Sequence, residues 1–162
     1  DGFAFKQLFD NMERCDVFVN ATYPAGVIPH MKSFFVSSQL MAEWMKPNGG
    51  SIINLSSIYG VMGSNPSLYE GTDMEMPAGY AYNKAGVIGL TRWIATNYGC
   101  YNVRANCVCP GGVWDKQPGV FIERYCERVP LGRMAKPEDI AAEIAYLASD
   151  EASYITGQTR MV

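Results

Sequence analysis

Tyr80 and Lys84 stand one helical turn apart in Gly79-Tyr80-Ala81-Tyr82-Asn83-Lys84-Ala85-Gly86, and Ser57 lies upstream, closing the run Ser51-Ile52-Ile53-Asn54-Leu55-Ser56. At positions i and i+4 of a helix a phenol and an ammonium leave the same face, so the cation can stabilise a phenolate. An ordinary tyrosine loses its proton near pH 10, and bringing it close to neutrality takes about 4 kcal/mol. A desolvated lysine together with the positive charge of an oxidised nicotinamide can supply that; an exposed pair cannot. Such a constellation can move a proton beside a hydride. Tyr82 lies two residues from Lys84 and points elsewhere around the helix, which leaves Tyr80 as the candidate. Tyr and Lys four apart are common on helices, so the surroundings have to carry the assignment.

The 162 residues, 48% of them apolar, make one domain able to bury a sizeable core. A net charge of -3 offers no broad basic field, which argues against nucleic acid and anionic membrane as partners. The apolar runs fall short of the roughly 18 residues that a membrane span needs, and the N-terminus does not resemble a signal peptide. Cys15, Cys100, Cys107, Cys109 and Cys126 show no Cys-x-x-Cys spacing, and His30 is the only histidine, so no zinc site is expected. Five thiols in a chain of this length are expected to be reduced, in cytoplasm, and to serve as small apolar filler.

The elements that must position the three residues can be read from period and punctuation. Phe3 to Met12 has helical spacing, with Phe5, Leu8, Phe9 and Met12 on one side. Asp16 to Asn20 is a short apolar run, as in a strand covered on both faces, and Tyr23-Pro24-Ala25-Gly26 breaks it. A long helix is predicted from about Pro29 to Met45, ended by Lys46-Pro47-Asn48-Gly49-Gly50. Ser51 to Leu55 is the second strand. Gly60 to Ala78 holds too many breakers for an element and reads as a long, functional loop. A helix over Gly79 to Tyr98, a strand over Asn102 to Cys109 halted by Pro110-Gly111-Gly112, and a short helix within 117–129 follow. Pro137-Glu138-Asp139 opens a helix reaching about Ser149, and the segment from Thr156 to Val162 supports a last strand.

Strands alternating with helices imply right-handed crossovers and a doubly wound, mostly parallel α/β sheet, with ligands at the carboxyl ends of its strands. Asn20, Ser57 and the Pro110-Gly111-Gly112 turn all fall at those ends.

These residues resemble the second half of the short-chain dehydrogenase/reductase family, over nearly the whole chain. Ser57 with Ile58-Tyr59-Gly60 is similar to the family's serine, and Tyr80-x-x-x-Lys84 to its tyrosine and lysine. Val103-Arg104-Ala105-Asn106-Cys107-Val108-Cys109-Pro110-Gly111-Gly112-Val113 looks like the sixth strand and nicotinamide loop. Pro130 to Met134, Pro137 to Ile140 and Ile155-Thr156-Gly157-Gln158 resemble the C-terminal section. The resemblance implies an NAD- or NADP-dependent oxidoreductase acting on a secondary alcohol or ketone. Tyr80 would be the general acid/base, Ser57 would hold the reacting oxygen, and Lys84 would lower the tyrosine pKa and hold the nicotinamide ribose. Backbone groups of Pro110, Gly111, Gly112 and Val113 would bind the carboxamide, while Asn20 and Ala21 would line the cofactor trough.

The chain departs from the family pattern at Asn20-Ala21-Thr22-Tyr23, where Asn-Asn-Ala-Gly is usual, at Asp115, where a threonine is usual, and at His30. His30 takes the place of the asparagine that completes a catalytic tetrad, where an imidazole can hold a relay water and titrate; the alternative is a satisfied surface histidine. The Gly-rich phosphate turn of an opening strand and helix is absent, and few residues separate Gly26 from the next helix. Residues 1–162 therefore read as a single Rossmann-like domain lacking its opening strands and part of the connection at 26–27. Tyr69 to Pro77 and Pro110 to Pro118 look like the subgroup encoded with bacterial flagellin-glycan and nonulosonate synthesis, implying a sugar derivative as substrate. A stripe of small residues on the Tyr80 helix resembles the family's four-helix interface, implying a homodimer or homotetramer. The competing reading is a non-catalytic relative or isolated half acting as an oligomerisation or binding module.

Overall fold

The computed structural model describes residues 7, 9, 11–22 and 26–162. The helix expected over Phe3 to Met12 and the break at Tyr23-Pro24-Ala25 fall for the most part outside them. Four strands, β1 (Val17–Asn20), β2 (Gly50–Leu55), β3 (Val103–Cys109) and β4 (Thr159–Met161), form one parallel sheet in the order β1-β2-β3-β4. Four helices connect or follow them: α1 (Val27–Met45), α2 (Ala78–Tyr98), α3 (Gly119–Cys126) and α4 (Pro137–Ala148). No helix among the described residues is long and apolar enough to cross a membrane.

Side chains alternate across the sheet because strand residues point to opposite faces in turn. Ile52, Val103 and Ala105 meet Met41, Ala42 and Met45 of α1 and Ile94 of α2, whereas Ile53 and Val108 meet Ile140 and Leu147 of α4. Ile52 and Ile53, both fully buried, each contribute about 1.5–3 kcal/mol by leaving water. Helix α1 ends where the chain turns through Gly49 (φ +70°), where a Cβ would lie 2.8 Å from the Asn102 carbonyl oxygen, so only glycine lets β2 start beside β3. Helix α4 starts on Pro137, and the Asp139 carboxylate accepts the Lys136 N–H at 2.7 Å.

One expectation about the winding is corrected. The sheet grows in one direction from β1 to β4, with α1 and α2 on one face and α4 on the other. The crossover from β3 to β4 therefore has the opposite hand to the first two. The apolar side of α4 dictates this, since Ile140 and Leu147 complete the face that α1 and α2 leave bare. The long stretch 110–136 gives the chain room to change faces. It carries α3, which packs through Phe121 against Leu68 and Met134, above the carboxyl ends of the strands.

The filler role expected for the cysteines holds for Cys107 and Cys109, fully buried against Phe34, Val87 and Ile88. It fails for Cys100, which is exposed at the end of α2, where the chain leaves the core before β3.

Candidate active site

The site is built where β2, α2 and the turn after β3 meet. Ser57 follows β2 and caps a single 3-10 turn, Ile58–Gly60, its Oγ accepting the Tyr59 N–H at 3.2 Å. Two hydrogen bonds tie this turn to its neighbours: the Ile58 N–H donates to the Pro110 carbonyl at 3.0 Å, and Ser56 Oγ donates to the Lys84 carbonyl at 2.7 Å. Gly60 makes the approach to α2 possible, because a Cβ there would fall 2.8 Å from the backbone of Lys84. Serine loop, Tyr80 helix and Pro110 turn are thus one packed unit.

Tyr80 and Lys84 share a face of α2, as their spacing predicts. The Lys84 Nζ lies 5.7 Å from the centroid of the Tyr80 ring and donates to the Leu55 carbonyl at 3.1 Å. Tyr82 is 62% exposed on another side. Lys84 is only 7% exposed, and burial holds its pKa below 10.5. Its charge acts in surroundings where water screens little. His30 of α1 is buried beside Phe34, not a surface residue, and lines a narrow groove between α1 and α2 with Asn83. Burial lowers its pKa, and the charge of Lys84 lowers it further, which favours the neutral imidazole.

Asn20 ends β1 with its side chain spent inside the protein. Its Nδ2 donates to Ser37 Oγ at 2.8 Å, Ser38 Oγ at 2.9 Å and the Phe34 carbonyl at 3.3 Å, and its Oδ1 accepts from Thr22. The network continues through Ser38 to Asn54 and Thr91, so it fixes the strand ends against α1 and α2. Ala21, next in the chain, is exposed.

In the turn after β3 the donors are almost all used. The Gly111 N–H goes to the Val162 carbonyl (2.7 Å), the Trp114 N–H to the Ala135 carbonyl (2.9 Å), and the Gly112 N–H to the Tyr125 hydroxyl. Among the described residues no group accepts the Val113 N–H. A backbone donor left over beside a cavity is a ready contact for a carboxamide oxygen.

That cavity, about 230 Å³, is lined by Ser57 and Tyr80 together with Gly111, Gly112 and Val113, so the structure brings these five predicted residues to one space. Its outer wall was not legible beforehand: Tyr59 and Tyr69, joined hydroxyl to hydroxyl at 3.0 Å, with Gln117 and Tyr125. Tyr59, Tyr69 and Gln117 stand within the stretches that carry the family resemblance but had no role there, and Tyr125 comes from a short helix whose periodicity marks no inward face. A hydroxyl or carbonyl placed between Ser57 and Tyr80 would meet two side-chain donors, with the space beyond bounded by the turn that holds the Val113 N–H.

Comparison with known proteins places this geometry. The family described as Enoyl-(Acyl carrier protein) reductase matches residues 28–162. Post-translational flagellin modification protein A of Campylobacter coli is 33% identical over 179 aligned residues, covering 98% of this chain and 70% of that protein. The 3-oxoacyl-(acyl-carrier-protein) reductase FabG of Thermotoga maritima is 40% identical over 141 residues, covering 84% of this chain and 53% of that enzyme. A crystal structure of a short chain dehydrogenase from Leptospira borgpetersenii with bound NAD+ superposes with a TM-score of 0.89 at 28% identity, over 100% of this chain and 70% of that one. The chain thus spans about half to two thirds or slightly more of the length of these proteins.

Proposed function

The chain belongs to the short-chain dehydrogenase/reductase family, and from that premise we propose that it serves an NAD- or NADP-dependent oxidoreductase interconverting a secondary alcohol and a ketone. The observation that carries this is the single cavity joining Ser57 and Tyr80 to the turn with the open Val113 N–H. When bound there, the nicotinamide supplies or takes up the hydride. The chain's residues do the rest. In the oxidation direction the Tyr80 oxygen takes the hydroxyl proton as the hydride leaves the carbinol carbon, and in reduction it returns that proton to the carbonyl oxygen. Ser57 Oγ donates to the same oxygen. Lys84, buried and cationic, would stabilise the phenolate and hold the nicotinamide ribose. His30, which feels the charge of Lys84, takes the relay position as a neutral imidazole. Asn20 braces the trough from behind, and Ala21 offers its exposed backbone.

For the substrate we infer a sugar derivative. The identity to a flagellin modification protein supports this, as do tyrosine faces and hydroxyls in the cavity wall, which suit a polyhydroxylated ring. A 3-oxoacyl thioester is the second reading, favoured by the 40% identity to FabG. The face formed by α1 and α2 supports a dimer: Ile28 is 77% and Phe35 49% exposed, and a Cβ added at Gly86 or Gly89 would meet open space. A cytoplasmic location fits the free thiols.

The test is turnover by the full protein with NAD and NADP across polyols, nucleotide-linked sugars and 3-oxoacyl thioesters. Turnover is expected with one group, and Tyr80→Phe should lower it by at least about a hundredfold. Equal rates for wild type and Tyr80→Phe would sink the assignment.

A further inference from the structure

The cavity beside Ser57 and Tyr80 and a second cavity, of about 460 Å³, share Gly111, Gly112 and Tyr125 as lining residues. The Gly111-Gly112 turn runs directly across the Tyr125 ring. A Cβ at Gly112 would lie 2.7 Å from the Tyr125 Cζ, and one at Gly111 2.8 Å from its hydroxyl oxygen. That hydroxyl accepts the Gly112 N–H. Gln117 holds the turn from its other end: its Nε2 donates to the Val113 carbonyl at 2.7 Å and its Oε1 accepts the Asp115 N–H at 2.8 Å. Lys116 adopts φ +56°, a left-handed conformation that non-glycine residues seldom take, and this folds Gln117 back onto the loop.

The peptide that carries the open Val113 N–H accepts the Ala135 N–H at its own Gly112 carbonyl, 2.9 Å, and the peptides on either side of it are held by Tyr125, through the Gly112 N–H, and by Gln117, through the Val113 carbonyl. We propose that Tyr125 and Gln117 are positioning residues which aim this donor at the nicotinamide carboxamide. The proposal rests on the dinucleotide-binding reading given above. Neither contact is needed to hold α3. Phe121 already anchors that helix with Leu68 and Met134, and the Tyr125 ring, stacked on Phe121 at 5.9 Å, would keep this packing without its hydroxyl. Gln117 lies before the helix and spends both ends of its amide on loop backbone. A donor fixed before the ligand arrives loses little freedom on binding, so its hydrogen bond counts nearly in full.

The experiment compares two ligands that differ only in the nicotinamide. Binding of NADH or NADPH, whichever the wild-type full protein holds more tightly, is followed by nicotinamide fluorescence. ADP-ribose, or its 2′-phosphate for an NADPH-binding protein, is measured by competition. Tyr125→Phe and Gln117→Ala should each weaken the reduced dinucleotide by about threefold to tenfold. Both should leave the ADP-ribose ligand within about twofold of wild type, since only the nicotinamide end is touched. Equal weakening of both ligands would mean a general loosening of the fold and would overturn the proposal. So would unchanged affinity for the dinucleotide in both variants. If wild type bound neither ligand, the dinucleotide-binding reading would itself fall and this proposal with it.

Discussion

Lys84 keeps its ammonium where water does little for it, which costs stability, and the proposed proton transfer draws on that charge. The unfolded chain holds the Lys84 proton with the ordinary pKa of 10.5, and burial lowers it in the folded chain. Between those two values the unfolded state binds more protons, so stability climbs with pH across that window and levels off above 10.5. Lys84→Met should flatten this climb in urea midpoints measured from pH 7 to 11, leave the midpoint at pH 7 no lower than wild type, and cut turnover by at least about a hundredfold. A variant that kept the wild-type pH slope would show that the buried charge lies elsewhere. The placement of Tyr80, Lys84 and Ser57 was legible in the sequence because spacing within one helix and the end of one strand set it. That of Tyr125 and Gln117 was not. The Tyr125 contact to Gly112 follows from how α3 folds back over the turn, and the Gln117 contact to Val113 from the left-handed conformation of Lys116, neither of which the pattern of residue types marks.

The elements themselves were legible almost to the residue where breakers bracket them: the helix read over 79–98 spans Ala78–Tyr98, and the strand read over 102–109 spans Val103–Cys109. Helix α1 begins two residues before the expected start, since Pro29 is accommodated within its first turn. What periodicity could not show is how tightly elements meet. Gly60 is the contact point between the serine turn and α2, and the sequence marks it only as one breaker among several. Gly60→Ala places a methyl 2.8 Å from the Lys84 backbone and from Ser56 Oγ, which should cost about 1–3 kcal/mol of unfolding free energy in urea. Because Ser57 moves with that turn, turnover should fall by more than the fraction unfolded explains. Stability and turnover both at wild-type level would show that the two elements have slack between them.

At the scale of the molecule, two surfaces are left apolar. Val17 and Val19 turn away from α1 and stay 39% and 40% exposed on the side where α4 covers only β2 and β3. On the opposite side, α1 and α2 present Ile28 and Phe35 beside the open glycines of α2. Phe35→Asp should turn an oligomer into a monomer in light scattering with turnover little changed per chain; a wild type that is already monomeric would remove this interface. The parallel sense of the sheet was legible in the alternation of elements, but its strand order, which follows the chain, and the face chosen by α4 were not, because handedness is decided by which side remains uncovered. The reversed winding of the last crossover also sets a timetable. Strands β1 to β3 can assemble by repeated addition of similar units, each closing over its neighbour. Strand β4 can join only after the stretch 110–136 has been drawn around the strand ends, and such long-range closure is slow. Since that stretch lines the cavity beside Ser57 and Tyr80, the cavity is expected to close late in folding, after the core between β2, β3, α1 and α2, and a chain arrested before that step should keep this core without the proposed site.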